Sequence, residues 1–586
     1  MNKFALLHRP KSEYAYAVDS KKLHILIRTA KNDLKKIDMI YGDPFSWDFK
    51  NPKKLSWNHH IEHMEIRYQT SMFDYYFIEI ETTQKRVKYA FILHDGDDIY
   101  LYGTRHLTPI HDESELYRQY DLSDYFNFPF IHESDDFNTP KWVQDTVWYQ
   151  IFPDRFYGHE SNSKLTWGKL PVKNNELYGG NIKGVIEKLP YLHDLGVTGI
   201  YFTPLFEAPS AHKYDTTDYY KIDPQFGTLE DMKSLVRHAH KLNIKVMLDG
   251  VFNHAGYEHQ FFQDVLKNNE NSIYKNSFYI DKFPVGDTKD GLNYKAFAFA
   301  KNMPKWRTED PHAEAYLLGC VKYWIETCDI DGWRLDVSNE VSHQFLRKVK
   351  EAARSVKKDV YILGENLDDS TPWLQGDQMD GVMNYDLAYP TWAYFQHRIS
   401  LEEFRDTVIK YLAKTQKNVI NHHFNLVGCH DTIRIKTRLD EDIRRVKLIN
   451  LFMFTSAGTP NIYYGDEVGM SGQNDPDNRR CMLWNEKDQD LDFKSFMKTL
   501  IKLRATYHAF ISPDYGFMDN EALIYTKKSN NQEILVIMNN QDESKTINLS
   551  KSLFGTYINL FTQEKVIIHD KITLEAYGYK LLLKEV

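Results

Sequence analysis

The sequence predicts an α/β protein: a (β/α)8 barrel with an insertion after its third strand, carried between two β-sandwich domains. Three observations predict it. From about 126 to 505, amphipathic helices alternate with short, nearly continuous apolar segments, the pattern of a parallel sheet with helical crossovers. Eight such segments occur, the closure number of this barrel. On either side, in 1–125 and 506–586, apolar residues recur at every second position between turn signals. A doubly wound open sheet is the less favoured alternative until the polar residues at the strand ends are considered.

In the first segment, KLHILIRTA places Leu23, Ile25 and Ile27 on one face of a strand. YYFIEIETT and VKYAFILHDGDDIYLYG alternate likewise, the second bending at Asp95-Gly96-Asp97 into a hairpin. They predict a β-sandwich over 1–125. Residues 126–142, with two prolines, an acidic run and no period, mark the boundary. Beyond it, Ile182, Val185, Ile186, Leu189, Leu192 and Leu195 recur at helical spacing ahead of the strand GIYFTP. Leu229, Met232, Leu235, Val236, Ala239 and Leu242 repeat the design ahead of KVMLD, and segments 316–336 and 345–365 repeat it twice more. EEFRDTVIKYLAK precedes NLVGCHD, and RRVKLINLFMFTSA precedes NIYYGDE. The eight strands read VWYQIFP, GIYFTP, KVMLD, GWRLD, YILGE, GVMNY, NLVGCH and NIYYGDE. Residues 254–312 are too many for a structureless connection and predict an inserted subdomain walling one side of the site. After about 505, ALIYTKKSNNQEILVIMNN is a hairpin around 529–531, and TYINLF, KVIIHD and GYKLLLK complete a second sandwich over 506–586.

Composition narrows the function. With 42% hydrophobic and 26% charged residues, the chain can bury a large core and is not a disordered protein. Lys and Arg total 73 against 82 Asp and Glu, a net charge of −9 that argues against nucleic acid or an anionic membrane as partner. Cys320, Cys328, Cys429 and Cys481 are too few for a disulfide scaffold and form no C-x-x-C pair. The N-terminal apolar run is too short for a signal peptide and no stretch approaches the roughly 20 residues of a membrane span, so a cytoplasmic protein is expected. The 14% aromatic content is high, and suits sugar-binding surfaces as well as core.

Barrel enzymes carry their chemistry at the C-terminal strand ends. Asp249 and His254 follow the third strand, Arg334 and Asp336 the fourth, Glu365 the fifth, His430 and Asp431 the seventh. Arg334 and Asp336, two apart on one strand, share a face, and the pairing is expected to hold the aspartate ionised as a nucleophile requires. Glu365 follows the apolar YILG, where desolvation is expected to suit it to general-acid work. Two carboxylates flanking one bond, with Asp431 as a third, form the constellation for glycosidic cleavage. A lone acid at a strand end is more often a cap or surface group; a set of four acids and two histidines reverses that balance. A metal-dependent hydrolase using His254 and His430 is a rival, without the H-x-H expected on its first strand. A glycan-binding protein with a vestigial barrel is another.

These residues resemble the α-amylase superfamily, glycoside hydrolase family 13. DGVFNH (249–254), GWRLDVSNEV (332–341), the glutamate of YILGEN (360–366) and NLVGCHD (425–431) are similar to its four sequence regions, in order. MPKW (303–306), VWYQIFPDRF, HKYDTTDYY and DPDNRRCMLW resemble most closely the neopullulanase, cyclomaltodextrinase and maltogenic amylase group, whose N-terminal sandwich is similar to a carbohydrate-binding module. The resemblance implies a retaining α-glucan hydrolase acting on maltooligosaccharides or cyclodextrins, with an exo-acting or α-1,6-specific glucosidase as the alternative. It implies Asp336 as nucleophile, Glu365 as general acid and then base, and Asp431 as the group holding the 2- and 3-hydroxyls of the distorted sugar. Arg334 would orient Asp336, His254 and His430 would hydrogen-bond the sugar, Tyr214 would stack on it, and Asp249 would hold the local structure. Asp475, Arg479 and His212 would contact the next sugar toward the non-reducing end. It also implies a homodimer through the N-terminal domain.

Two departures from the group stand out. Leu367 and Asp368 occupy the places of a tryptophan and a histidine on the acceptor side, and Trp306 is the ring expected to stand in. Of the group's calcium-binding side chains only Asn162 matches, within YGHESNS (157–163) and Gly179-Gly180-Asn181, so no metal or cofactor is expected.

Overall fold

A computed structural model of the chain describes residues 1–49, 56–112, 115–116, 121–133, 137–160, 163–289, 291–518, 521–529 and 531–585. They form two compact units, Met1–Asn138 with Glu402–Asn418, and Thr139–Leu401 with Val419–Val586.

The first unit is built on two antiparallel sheets. Lys22–Ala30 pairs with Phe73–Glu81 in one, Lys36–Gly42 with Val87–Asp95 in the other. Leu23, Ile25 and Ile27 are fully buried in one core with Ile37, Met39, Phe91 and Leu93, as the period of two requires. Asp95 opposes Asp98 across a tight turn in which Gly96 takes φ +64°, a conformation that glycine adopts without strain. Phe126–Phe128, on the barrel side of the boundary expected at 125, pairs as a strand with Val87–Asp95, and the unit runs on to Asn138. The helix expected ahead of the seventh barrel strand forms over Leu401–Lys414, and its Asp406 accepts from the Ser71 N–H at 2.9 Å within this unit.

In the second unit the eight expected strands are Trp148–Ile151, Gly199–Phe202, Lys245–Gly250, Gly332–Leu335, Tyr361–Gly364, Gly381–Val382, Phe424–Leu426 and Thr459–Tyr463. They lie parallel in the order 6-5-4-3-2-1-8-7, and a parallel bridge from Met383 to Phe424 joins the sixth to the seventh. The interior pairing Asp249↔Arg334 sets two polar residues side by side at the top of the third and fourth strands. Helices Ile182–Leu195 and Leu229–Lys241 cover the outside with buried stripes (Val185, Leu189 and Leu192; Met232, Leu235 and Val236) and begin at side-chain caps from Asn181 and Thr228. Gly364 ends the fifth strand, packed so closely under the Met379 thioether that a Cβ there would push the Met379 side chain aside.

The insertion after the third strand has its own core of Phe261, Phe262, Val265, Phe278 and Trp306 around the helix Gln260–Asn268. Its return segment is stitched back by a bridge between His254 and Lys305, and the Lys305 ammonium donates to the Glu340 carbonyl at 3.0 Å. The C-terminal part is a six-stranded antiparallel sheet facing the two-stranded sheet of Lys545–Asn548 and Lys571–Leu574 across a shared apolar core. Ser529 opposes Gln532 in the expected hairpin; residue 530 of its turn lies outside the described residues.

Candidate active site

Arg334 is the hub. It is fully buried, and its Nη1 donates to both Asp249 oxygens at 2.9 Å and to Asp336 Oδ1 at 2.7 Å, while Nη2 lies 2.7 Å from Glu365 Oε1. One guanidinium thus gathers carboxylates from the ends of the third, fourth and fifth strands. Past Asp336 the chain turns sharply: Val337 sits at φ 45°, a strained conformation for a β-branched residue, and its backbone N–H donates to Glu365 Oε2 at 3.0 Å. The expected apolar surroundings of Glu365 are therefore replaced by a guanidinium and an amide.

The expected Arg334–Asp336 pair is present, but it does not act alone. Burial, opposed by Arg334 and reinforced by Glu365 and Asp249, pushes the Asp336 carboxyl well above the usual carboxylate range. Burial likewise raises Asp249 to about 6, against the pull of Arg334 and Tyr201. Three carboxylates share one cation, and their mutual repulsion adds to burial in opposing the ionised forms of Asp336 and Asp249.

A second chain of hydrogen bonds runs across the barrel mouth. Gln150 Nε2 donates to His430 Nδ1 at 2.7 Å, which leaves Nε2 to donate to the Tyr214 hydroxyl at 2.6 Å. Tyr214 donates onward to Asp249 Oδ2 at 3.0 Å, and Tyr201 donates to the same oxygen at 2.6 Å. Burial lowers His430 well below its ordinary value, so the imidazole is neutral and works as a fixed donor. Its ring lies parallel to Tyr214, centroids 5.4 Å apart. Asp431 has 44% of its side chain exposed, with Oδ2 3.0 Å from His430 Nε2 and Oδ1 3.1 Å from Arg479 Nη2. Arg479 also holds Asp475 at 3.0 Å and donates to the His430 carbonyl at 2.9 Å. His212 also stacks on Tyr214, centroids 5.8 Å apart, and accepts from its backbone N–H at 3.1 Å. His254, lowered to about 3 by burial, lies flat on Phe297 at 4.9 Å.

The structure thus gathers the candidate residues Asp249, Arg334, Asp336 and Glu365 around one cation, and Tyr214, His212, His430, Asp431, Asp475 and Arg479 in a connected rim. Sequence reasoning missed Gln150, Tyr201 and the Val337 amide. Gln150 was detectable as the one amide in an otherwise apolar first strand, VWYQIFP.

The acceptor side differs from expectation at one point. Trp306 is 2% exposed, stacked on Phe278 at 4.5 Å inside the insertion core, with its indole N–H on Tyr219, so it offers no ring to a ligand. Leu367 is 47% exposed and Asn366 is buried, accepting from Ser338. Asn162 lies outside the described residues. Asn181 is committed to capping the helix that starts at Ile182 and to the His159 carbonyl. Among the described residues, Cys429, His430 and Asp431 stand close enough to share an ion, but burial pushes the thiol up to about 12, and a protonated thiol is a poor ligand.

The family description "Alpha amylase, catalytic domain" matches residues 150–559, and "Alpha amylase, N-terminal ig-like domain" matches residues 1–132. The chain is 42% identical to a cyclomaltodextrinase of Geobacillus thermopakistaniensis, aligned over 100% of both chains. It is 41% identical to an intracellular maltogenic amylase of Bacillus subtilis over 99% of this chain and 98% of that one. A solved cyclomaltodextrinase structure superposes with TM-score 0.91 at 36% identity, covering 100% of each chain.

Proposed function

The chain belongs to the alpha-amylase family, and from that membership we propose how this retaining α-glucan hydrolase works. Asp336 attacks the anomeric carbon while Glu365 donates its proton to the departing glycosidic oxygen. That forms the Asp336–glucosyl ester and releases the acceptor sugar. Glu365, now a carboxylate, takes a proton from water, whose oxygen displaces Asp336, and the product leaves with its α configuration retained. Arg334 compensates the carboxylates as the proton moves among them, and Asp431 with His430 holds the sugar hydroxyls. The single observation that carries this reading is that Asp336 and Glu365 lie on two terminal nitrogens of one guanidinium, each at 2.7 Å. Such sharing favours the close carboxyl spacing of retaining enzymes, about 5–5.5 Å, over the wider gap that admits a water between.

Within the family we assign the chain to the cyclomaltodextrinase and maltogenic amylase group, acting on maltooligosaccharides or cyclodextrins in the cytoplasm. Its relatives' names and the alignment over the whole chain support this. Product profiles on maltotriose, pullulan and β-cyclodextrin test it, and turnover of none of them would overturn it. The domain division we propose is an N-terminal sandwich, a barrel with its insertion, and a C-terminal sandwich from about 506. We also propose a two-fold dimer through the N-terminal domain. Light scattering at micromolar concentration should give twice the chain mass; a monomer would dispose of the idea.

Leu367 bears on partitioning. A flat indole there would add about 0.5–1.5 kcal/mol of stacking for an acceptor sugar, by analogy with aromatic pairs. Leu367→Trp is expected to raise the ratio of transfer products to free glucose and maltose at high maltotriose by about 2- to 10-fold. An unchanged ratio would show that position 367 does not reach the acceptor.

A further inference from the structure

The sixth strand leads into the helix Tyr385–Phe395, on which Tyr385, Tyr389 and Trp392 form a row of packed rings. Tyr385 is buried, its hydroxyl 3.7 Å from the Cys429 sulfur, which accepts from the Asp431 backbone N–H at 3.4 Å. Tyr389 lies one turn further along the same face and packs on Tyr385, with centroids 5.6 Å apart and planes at 32°. On its other flank it meets Trp392 at 5.4 Å, ring edge to ring face. Trp392 is fixed in turn: its indole N–H donates to the Val427 carbonyl at 2.8 Å, and the Arg438 guanidinium covers its ring at 4.3 Å. Tyr389 is therefore braced by two buried aromatics, yet 48% of it is exposed. The helix starts beside the strand end that carries Glu365, since Gly364 pairs with Val382 and the Met383 N–H donates to the Gly364 carbonyl at 2.9 Å. Burial, then the fields of Asp368, Cys429 and Glu365, raise the Tyr389 phenol above the ordinary value.

A braced, half-exposed ring on the helix that starts beside the proton donor's strand end presents what the C–H face of a pyranose needs: a flat apolar surface that loses little freedom on binding. We propose that Tyr389 is the acceptor-side sugar platform, the face on which the departing sugar rests while Glu365 protonates its oxygen. Nothing else in that row can do this, since Tyr385 and Trp392 are buried and Trp306 faces the insertion core. The proposal rests on the α-glucan hydrolase reading above. It also accounts for an acceptor side without a ring at position 367: the platform comes from the helix after the sixth strand instead of the loop after the fifth.

The test compares maltotetraose, which places sugars on both sides of the cleavage point, with α-maltosyl fluoride, whose leaving group is fluoride and which has no acceptor sugar. Tyr389→Ala should lose about 3- to 10-fold in kcat/KM on maltotetraose, the loss of one stacked ring. Its loss on α-maltosyl fluoride should be several times smaller, and Tyr389→Phe, which keeps the ring face, should recover most of the maltotetraose activity. Equal losses of Tyr389→Ala on the two substrates, or none on maltotetraose, would overturn the platform while leaving the hydrolase reading intact. A wild-type enzyme that cleaves neither substrate would overturn the hydrolase reading and the platform with it.

Discussion

Asp336→Asn is expected to lose at least about 10³-fold in kcat on maltotriose, because the displaced charge is the attacking group itself. The same substitution should not weaken the fold. Asp336 is one of three carboxylates crowded around Arg334, and burial already pushes it toward the neutral form. An amide of the same shape removes repulsion and keeps an acceptor for Arg334 Nη1. The melting temperature is therefore expected at or above that of the wild type. A large loss of activity together with a collapse in stability would indicate a structural aspartate and count against the nucleophile assignment.

Arg334→Met is expected to have the largest combined effect. It strips the compensating charge from Asp249, Asp336 and Glu365, and breaking a buried ion network by removing one partner costs about 3–5 kcal/mol. The pH dependence has a definite sign. Arg334 favours the ionised forms of Asp249 and Asp336, so without it both carboxyls stay protonated to higher pH. A carboxyl whose native pKa lies above its unfolded value stabilises the fold at low pH and loses that contribution as pH rises through the native value. The drop in melting temperature should therefore be greater at pH 8 than at pH 5. The acid limb of any residual activity should move upward, because the nucleophile ionises later. Equal melting losses at the two pH values would contradict the shared-charge description.

Much of this was legible in the sequence because it rests on local pattern. The eight strands announce themselves as apolar runs behind amphipathic helices, and Asp249, Arg334, Asp336, Glu365, His430 and Asp431 sit at the ends of four of them. What was not legible depends on contacts between distant segments. Phe126–Phe128 has too few residues and too close a proline to read as a strand, and only its pairing with Val87–Tyr89 makes it one. Trp306 resembles an exposed binding ring until the insertion closes over it. The surroundings of Glu365 could not be read from the apolar residues before it, because the group that meets it comes from a neighbouring strand. The same holds for Tyr214, whose hydroxyl joins the third and seventh strand ends.

The measurement that tests the mechanism most directly is covalent trapping of the intermediate. A fluorinated α-glycosyl fluoride, which forms the glycosyl–enzyme faster than water can remove it, is incubated with the wild-type enzyme, and the labelled peptide is mapped by mass spectrometry. One hexosyl adduct, on Asp336, is the expected result. An adduct on Glu365, Asp431 or Asp249 would contradict it.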